Sequence, residues 1–329
     1  MMRQVVMLIY PGVTIGQLTG MAEVFRFANE LAHFLQPTAP ARYQLSYFQL
    51  GGQSSYRMDG VQIDCAEQLP EHIDALLIPG SYAHHVSELT AQISFFQQHR
   101  EWFYQLERQG CLIAAACNGS FGLAATGLLD QQQATTCWFL AEFFQQQFPA
   151  VTLDATATIK RAGYCYTAGA TTAYLSLCLA LVQQFDGVRF AAQLAKILLV
   201  EPALHGQAPF LSVDQLVQHN DARIAEVQVY LRNHLAEPLD LQQLSVRFAM
   251  SSRTLIRRFK AATGETPMAW LQKLRIDKAK MLLESSNISI EQLTRAIGYE
   301  DVSSFRKLFQ QFTRLTPKAY RNQFSQGLD

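Results

Sequence analysis

The sequence predicts an α/β domain with a mainly parallel sheet, followed by an all-α domain that holds two helix-turn-helix units. Three observations predict it. Continuous apolar runs alternate with helical stretches through the first part of the chain, whereas from residue 222 only short amphipathic helices follow. Charge divides at the same place: residues 1–221 carry 10 Lys and Arg against 17 Asp and Glu, a net of −7, and residues 222–329 carry 17 against 10, a net of +7. A weak internal repeat lies inside the basic part. There Leu244 to Phe259 encloses Leu255, and Leu293 to Phe309 encloses Phe305, with a turn one residue longer.

Composition narrows the class. A chain of 329 residues that is 49% hydrophobic and 16% charged is globular and long enough for two domains. The zero net charge conceals an acidic body and a basic tail, and such a tail suits a polyanion. Cys65, Cys111, Cys117, Cys137, Cys165 and Cys178 form no CxxC pair and avoid the basic part, which argues against a zinc site and a disulfide scaffold. No apolar run reaches the roughly 18 residues of a membrane span. The apolar start MMRQVVMLIYPG stops at Pro11-Gly12 without a cleavage pattern, so it reads as a buried first strand and not a signal peptide. The expected location is the cytoplasm.

The strands expected from continuous apolar runs are 5–10, 43–50, 75–80 and 111–116, each apolar on both faces as a parallel sheet requires. Helical patterns fall at 16–35, 91–109, 120–128 and 138–148, and a further apolar helical stretch at 171–200 closes the domain. The segment EPALHGQAPF, with two prolines and a glycine, breaks the pattern. The expected division is 1–203, a linker at 204–221, and 222–329.

A helix that reads DNA buries one face and presents polar, basic side chains on the other. In 251–263, Leu255, Phe259 and Ala262 form the buried stripe, leaving Arg253, Ile256, Arg257 and Lys260 outward. In 301–312, Phe305, Leu308, Phe309 and Phe312 are the stripe, and Val302, Ser303, Arg306, Lys307 and Gln310 face outward. Arginine suits guanine O6 and N7 in the major groove, and serine serves either base type. Asp301 is expected to cap its helix.

A second constellation lies at 112–138. The strand LIAAA runs into Cys117, then Asn118-Gly119 and a helix, the layout of a nucleophile elbow. Gly80-Ser81, after the strand ALLIP, offers backbone N–H groups placed to act as an oxyanion hole. The residue types alone fit equally a small side chain in a tight strand-to-helix turn.

Residues 238–321 resemble the AraC/XylS family of transcriptional regulators. The marks are Ser251, Arg253, Leu255, Arg258, Phe259, Gly264, Pro267, Arg275, Ala279, Leu282-Leu283, Ile290, Ile297-Gly298-Tyr299, Phe305, Phe309, Pro317, Tyr320 and Arg321. The resemblance implies two helix-turn-helix modules joined by a long helix at 267–284 and entering successive major grooves of double-stranded DNA. It implies base-facing roles for Arg253, Ile256 and Arg257 in the first groove and for Val302, Ser303, Arg306 and Lys307 in the second.

Residues 4–200 resemble the class I glutamine amidotransferase-like superfamily in its PfpI-type branch, through GMAEVF, IPG, ACNGSFGLAATGLL, ATTCW and TAGATTAYLSL. That resemblance implies a flavodoxin-like three-layer sandwich with Cys117 at the elbow and Glu23 close to its sulfur. Active relatives carry His before the tryptophan of ATTCW, where this chain has Cys137, and many carry Asp where it has Leu175. A Cys–His mechanism without that base lacks its proton acceptor, and His84 and His85 are the remaining candidates.

The two resemblances together imply a ligand-responsive regulator and not an enzyme. The first domain is then a retired enzyme fold serving as sensor and dimerisation module. Such architectures are associated with nitrogenous metabolites. Glu23, Gly80, Ser81, Cys117, Asn118, Cys137 and Trp138 are the expected effector contacts, with Tyr82 a further aromatic neighbour. The expected partners are double-stranded DNA, a small effector, a second copy of the chain and RNA polymerase; no cofactor, metal or membrane is expected. An activator is expected. The alternatives are a cysteine-dependent hydrolase or glyoxalase-like enzyme, or a redox sensor using Cys117 with Cys137.

Overall fold

A computed structural model describes residues 2–58, 60–83, 85–200, 206–211 and 221–325. The chain divides into two compact units, Met1–Gln207 and Ala208–Asp329.

The strands of the first unit are β1 (Arg3–Ile9), β2 (Tyr43–Gln49), β3 (Ser55–Met58), β4 (Val61–Asp64), β5 (Ala75–Ile78), β6 (Leu112–Ala116), β7 (Gln133–Ala134), β8 (Thr152–Leu153), β9 (Ile159–Ala162) and β10 (Cys165–Ala168). Its helices are α1 (Ile15–Leu35), α2 (Val86–Gln98), α3 (Arg100–Arg108), α4 (Gly119–Ala125), α5 (Ala141–Gln147), α6 (Ala173–Asp186) and α7 (Val188–Ile197). A six-stranded sheet runs in the order β2-β1-β5-β6-β10-β9, parallel except for the antiparallel edge strand β9. β5 and β6 are buried along their whole length, which is why their sequences are unbroken apolar runs. α1 packs with α6 and α7 on one side, and α2 packs with α4 on another. The buried stripe of α1 (Leu18, Met21, Ala22, Phe25, Ala28, Leu31 and Ala32) has the three-and-four spacing of a helix lying on a sheet.

Two expected helices are each divided in two. The 91–109 stretch breaks at His99, whose ring nitrogen bonds the Phe95 carbonyl at 2.8 Å and whose backbone turns back on Phe96 before α3 begins. The 171–200 stretch breaks at Gly187, with φ 86°, a conformation that favours glycine. Just before it, Asp186 is held by Arg3 and Arg42 at 3.0 and 2.8 Å and by the Tyr43 hydroxyl.

The second unit is helical: α8 (Ala222–Asn233), α9 (Leu241–Arg247), α10 (Ser252–Thr263), α11 (Pro267–Ser285), α12 (Ile290–Ala296), α13 (Val302–Thr313) and α14 (Pro317–Phe324). It has two small cores. Ile224, Val227, Leu231, Leu244, Leu255 and Phe259 pack with Trp270, Leu271 and Leu274 of α11. Leu293, Ile297, Phe305, Phe309, Leu315 and Tyr320 pack with Ile276, Ala279 and Leu283 of the same helix.

The expected linker is in part packed chain. The side chain of Gln207 is buried in the first unit, and Ala208 and Pro209 are buried in the second. Residues 204–205 and 212–220 of it lie outside the described residues.

Gly298 has φ 80°, and a Cβ there would lie 2.6 Å from the Ala236 carbonyl oxygen, so the second turn closes directly on the backbone after α8. Replacing Gly298 with Ala therefore combines a left-handed backbone, costing about 1–2 kcal/mol, with a backbone clash. The expected outcome is a urea midpoint for the second unit lowered by the equivalent of about 2 kcal/mol, with the slope unchanged.

Candidate nucleic-acid interface and elbow site

Each helix-turn-helix is punctuated by side-chain caps. Asp240 and Ser289 begin α9 and α12 as reciprocal capping boxes with Gln243 and Gln292. Ser251 caps α10 by accepting from the Thr254 amide at 3.2 Å, and Asp301 caps α13 by accepting from Ser304 at 2.6 Å. The Asp301 carboxyl is held below the usual carboxylate range, chiefly by the Ser304 hydrogen bonds, as its capping role requires. The repeat runs further than the Leu-to-Phe spacing indicates. After α10 and α13 come Gly264 and Arg314, both left-handed, then Thr266-Pro267 and Thr316-Pro317, whose threonines cap α11 and α14.

On α10, Leu255, Phe259 and Thr263 are buried, while Arg253, Arg257 and Lys260 are exposed and Ile256 is half-buried. On α13, Phe305, Phe309 and Thr313 are buried, while Ser303, Arg306 and Lys307 are exposed and Val302 is half-buried. Ala262, expected in the first stripe, is half-buried; Thr263 takes the buried place and bonds the Phe259 carbonyl at 2.8 Å.

The arginines of this unit fall into two groups. Arg258 forms two hydrogen bonds to Asp221, at 3.0 and 2.6 Å. Arg275 donates to the Leu235 and Glu237 carbonyls at 2.7 and 2.9 Å and lies over the Tyr299 ring. Arg321 donates to the Ile288 carbonyl. By contrast, among the described residues Arg253, Arg257, Lys260, Arg306 and Lys307 make no ion pair within 4.0 Å. α10 and α13 thus present five exposed cations.

In the first unit, β6 delivers Cys117 in a left-handed conformation, φ 55°, and α4 starts two residues later. The turn is tight because Gly119 has no side chain: a Cβ there would lie 2.4 Å from the Pro79 carbonyl oxygen. The Cys117 amide donates to the Ala168 and Gly169 carbonyls, each at 3.0 Å. Gly80 and Ser81 sit at the end of β5 as expected of an oxyanion hole, but both N–H groups are taken. Gly80 donates to the Gln17 carboxamide oxygen at 2.6 Å and Ser81 to that of Asn118 at 2.7 Å.

Glu23 requires a correction. Its side chain is exposed and pairs with Arg26 at 3.3 Å on the outer face of α1. The residue beside the sulfur is Gln17, buried, with its amide nitrogen bonded to the Thr171 carbonyl at 3.0 Å and its side chain hydrogen-bonded to Cys117. One turn and a half of α1 separates the two positions; the signal available in the sequence is an uncharged polar residue next to the apolar stripe at Leu18, Met21 and Ala22.

Cys137 is buried and hydrogen-bonded to Cys117. That bond holds the Cys117 thiol below the ordinary cysteine range, with burial opposing it, while burial pushes Cys137 well above that range. Ser120 fixes the approach: its hydroxyl donates to the Cys117 carbonyl and lies 2.7 Å from the Thr136 hydroxyl. Trp138 is half-buried against Phe139, and Tyr82 is exposed. His85 caps α2 through a reciprocal bond with Glu88, and His84 lies outside the described residues.

Gln207 had no expected role. Its carboxamide oxygen accepts from Ala170 at 2.7 Å, and its nitrogen faces the Thr136, Ala155 and Ala157 carbonyls at 2.9, 3.1 and 3.0 Å. A Cβ at Gly169 would lie 2.2 Å from the Gln207 carboxamide carbon. Gln207 is thereby locked to the turn that binds the Cys117 amide and to the carbonyl that precedes Cys137.

The family model described as a helix-turn-helix domain matches residues 244–323. The chain is 24% identical over 318 residues to the HTH-type transcriptional regulator GbdR of Pseudomonas aeruginosa, spanning 95% of this chain and 83% of that one. It is 35% identical over 104 residues to the HTH-type transcriptional activator RhaS of Escherichia fergusonii, 32% of this chain and 37% of that one. The crystal structure of a Vibrio parahaemolyticus transcriptional-regulator protein is similar to the first unit's fold, with a TM-score of 0.51 at 21% identity over 60% of this chain and 100% of that one. The protein is a DNA-binding transcriptional regulator with a helix-turn-helix tail. Its tail is similar to the helix-turn-helix domains of such regulators, and the unit in front of that tail has an α/β fold with a mainly parallel sheet.

Asp221 serves two elements at once, capping α8 through the Arg223 and Ile224 amides and binding Arg258 of α10. The Arg258 hydrogen bond holds its carboxyl below the usual range. A depressed carboxyl stabilises above its unfolded pKa of about 3.9 and loses that contribution as pH falls through the folded value. Asp221→Ala is expected to cost about 1 kcal/mol at pH 7, as for loss of a cap. The difference from wild type should shrink progressively as pH falls below about 4, followed by urea unfolding.

Proposed function

We propose that this regulator is a ligand-responsive activator whose first unit is a catalytically silent sensor and dimerisation module. In this reading Arg253, Ile256, Arg257 and Lys260 of α10 contact one major groove, and Val302, Ser303, Arg306 and Lys307 of α13 contact the next. The carrying observation is the set of five exposed cations on two capped, equivalent helices, none of them in an ion pair within 4.0 Å among the described residues. Phosphates and guanine edges are the groups that complete them. The chain acts in the cytoplasm, as a homodimer that engages RNA polymerase.

The silent sensor is supported by two features of the elbow. Its two best-placed oxyanion donors are already bonded to Gln17 and Asn118. Its sulfur faces a thiol where a base would stand, so among the described residues an acyl-transfer step finds no proton acceptor at that position and its two best-placed donors occupied. Gly80, Ser81, Cys117, Asn118 and Trp138 are the proposed effector site, by the C-terminal ends of β5 and β6, where α/β sheets place ligands, and Cys137, expected beside them, is enclosed behind Cys117. The groups bonded around Cys117 are carboxamides, hydroxyls, backbone and a thiol. They suit a polar effector that carries its own donors and acceptors. Gln207 is the residue through which a change at the elbow reaches the segment leading to the second unit.

Replacing Arg257 with Ala is expected to weaken binding to DNA selected by the chain from a random pool by about 1–3 kcal/mol, and to relax preference at one position. Gel-shift titration measures it; operator affinity equal to wild type removes Arg257 from the interface. A thermal-shift screen of nitrogenous metabolites on the full chain tests the sensor: an effector that binds the native state raises the midpoint.

A further inference from the structure

The strongest unused chemistry in the molecule is the pair of thiols at the elbow. Two observations set them apart from Cys65, Cys111, Cys165 and Cys178. First, they meet at one turn across 20 residues of sequence: the Ser120 hydroxyl bonds the Cys117 carbonyl and the Thr136 hydroxyl, each at 2.7 Å, and Thr136, the neighbour of Cys137, donates to the same carbonyl at 3.3 Å. Secondly, they are unequal: Cys117 stands at the turn with a small exposed area, while Cys137 is wholly enclosed behind it. That is the arrangement of an attacking and a resolving thiol.

We propose that Cys117 and Cys137 are a redox modification site, closing to a reversible disulfide when the protein meets a hydroperoxide. The Cys117 thiolate attacks the peroxide: an S–O bond forms, the O–O bond breaks, and the leaving oxygen takes a proton as water or alcohol. Cys137 then attacks the sulfenic sulfur: the S–S bond forms, the S–O bond breaks, and water departs with the Cys137 proton. The two thiols together lose two electrons and two protons, which the peroxide takes up. The hydrogen bond that lowers the Cys117 thiol favours the first step, which needs no separate base because the nucleophile needs only its own ionisation.

The bond has a route to the rest of the chain. Drawing Cys137 onto Cys117 moves the Thr136 carbonyl, which holds the Gln207 carboxamide at 2.9 Å. For its consequence, though not for its chemistry, the inference rests on the first unit being the sensing unit.

The test uses the reduced full-length chain, treated with hydrogen peroxide, quenched with an alkylating agent in denaturant and digested without reductant. The expected result is one cross-linked peptide pair joining Cys117 to Cys137, with loss of two alkylatable thiols per chain. Dithiothreitol should restore both, and the other four cysteines should remain alkylated throughout. Cys137→Ser should convert Cys117 to sulfinic or sulfonic acid instead, because the resolving thiol is gone. Peroxide that leaves both thiols alkylatable, or that adds oxygen to wild-type Cys117 without a cross-link, overturns the proposal; the wild-type result decides even if the variant does not fold. Gel-shift titration of the bridged chain reads the separate question. DNA affinity unchanged within twofold removes the sensing role while the bridge stands.

Discussion

The second unit depends on one helix being buried twice. α11 gives Trp270, Leu271 and Leu274 to the first core and Ile276, Ala279 and Leu283 to the second. At about 100° per residue the two sets lie on opposite sides of the helix. Neither half-module has a core without it. Arg275, between the two sets, binds the backbone after α8 and covers the Tyr299 ring in the second turn. Gly298 lets that turn approach the same backbone. The positions of α10 and α13 are therefore not independent, and the separation of their exposed faces is built into the packing.

Against that frame, the cations of the second unit divide by what they touch. Arg258, Arg275 and Arg321 are spent on Asp221 and on backbone carbonyls, and they hold helices together. Arg253, Arg257, Lys260, Arg306 and Lys307 are exposed, and among the described residues none forms an ion pair within 4.0 Å. The elbow follows the opposite rule. Gln17, Asn118, Gln92 and Gln207 are buried carboxamides, each with both ends engaged. Buried amides in such a network are costly to leave unsatisfied. The site is thus tightly coupled, so that a change at one member is felt by the others.

The parallel strands were legible because burial on both faces leaves an unmistakable apolar run, as in 112–116. The hairpin of β9 and β10 was not: four-residue strands with Lys160 and Arg161 on an edge carry no such signal. The recognition helices were legible from one buried stripe each. α11 is different, because burying both sides erases the single stripe that periodicity detects; it was identified by resemblance. The elbow's strand-turn-helix is local and could be read, whereas its partners arrive from distant elements. Gln17 lies on α1 and Gln207 at the end of the first unit, and nothing near them in sequence points to Cys117. Glu23 matched a motif by position, but helical geometry turned it to the outside.

The most direct measurement of the central account is a spacing test on DNA that the full chain selects from a random pool. Footprinting locates the two contacted major-groove segments, and about 5 bp, half a helical turn, is then inserted between them. Rigidly coupled modules cannot follow that rotation. The account predicts that affinity falls about a hundredfold, the loss of one module's base contacts at about 1–3 kcal/mol each. Affinity that stays within twofold of the uninterrupted site would contradict it.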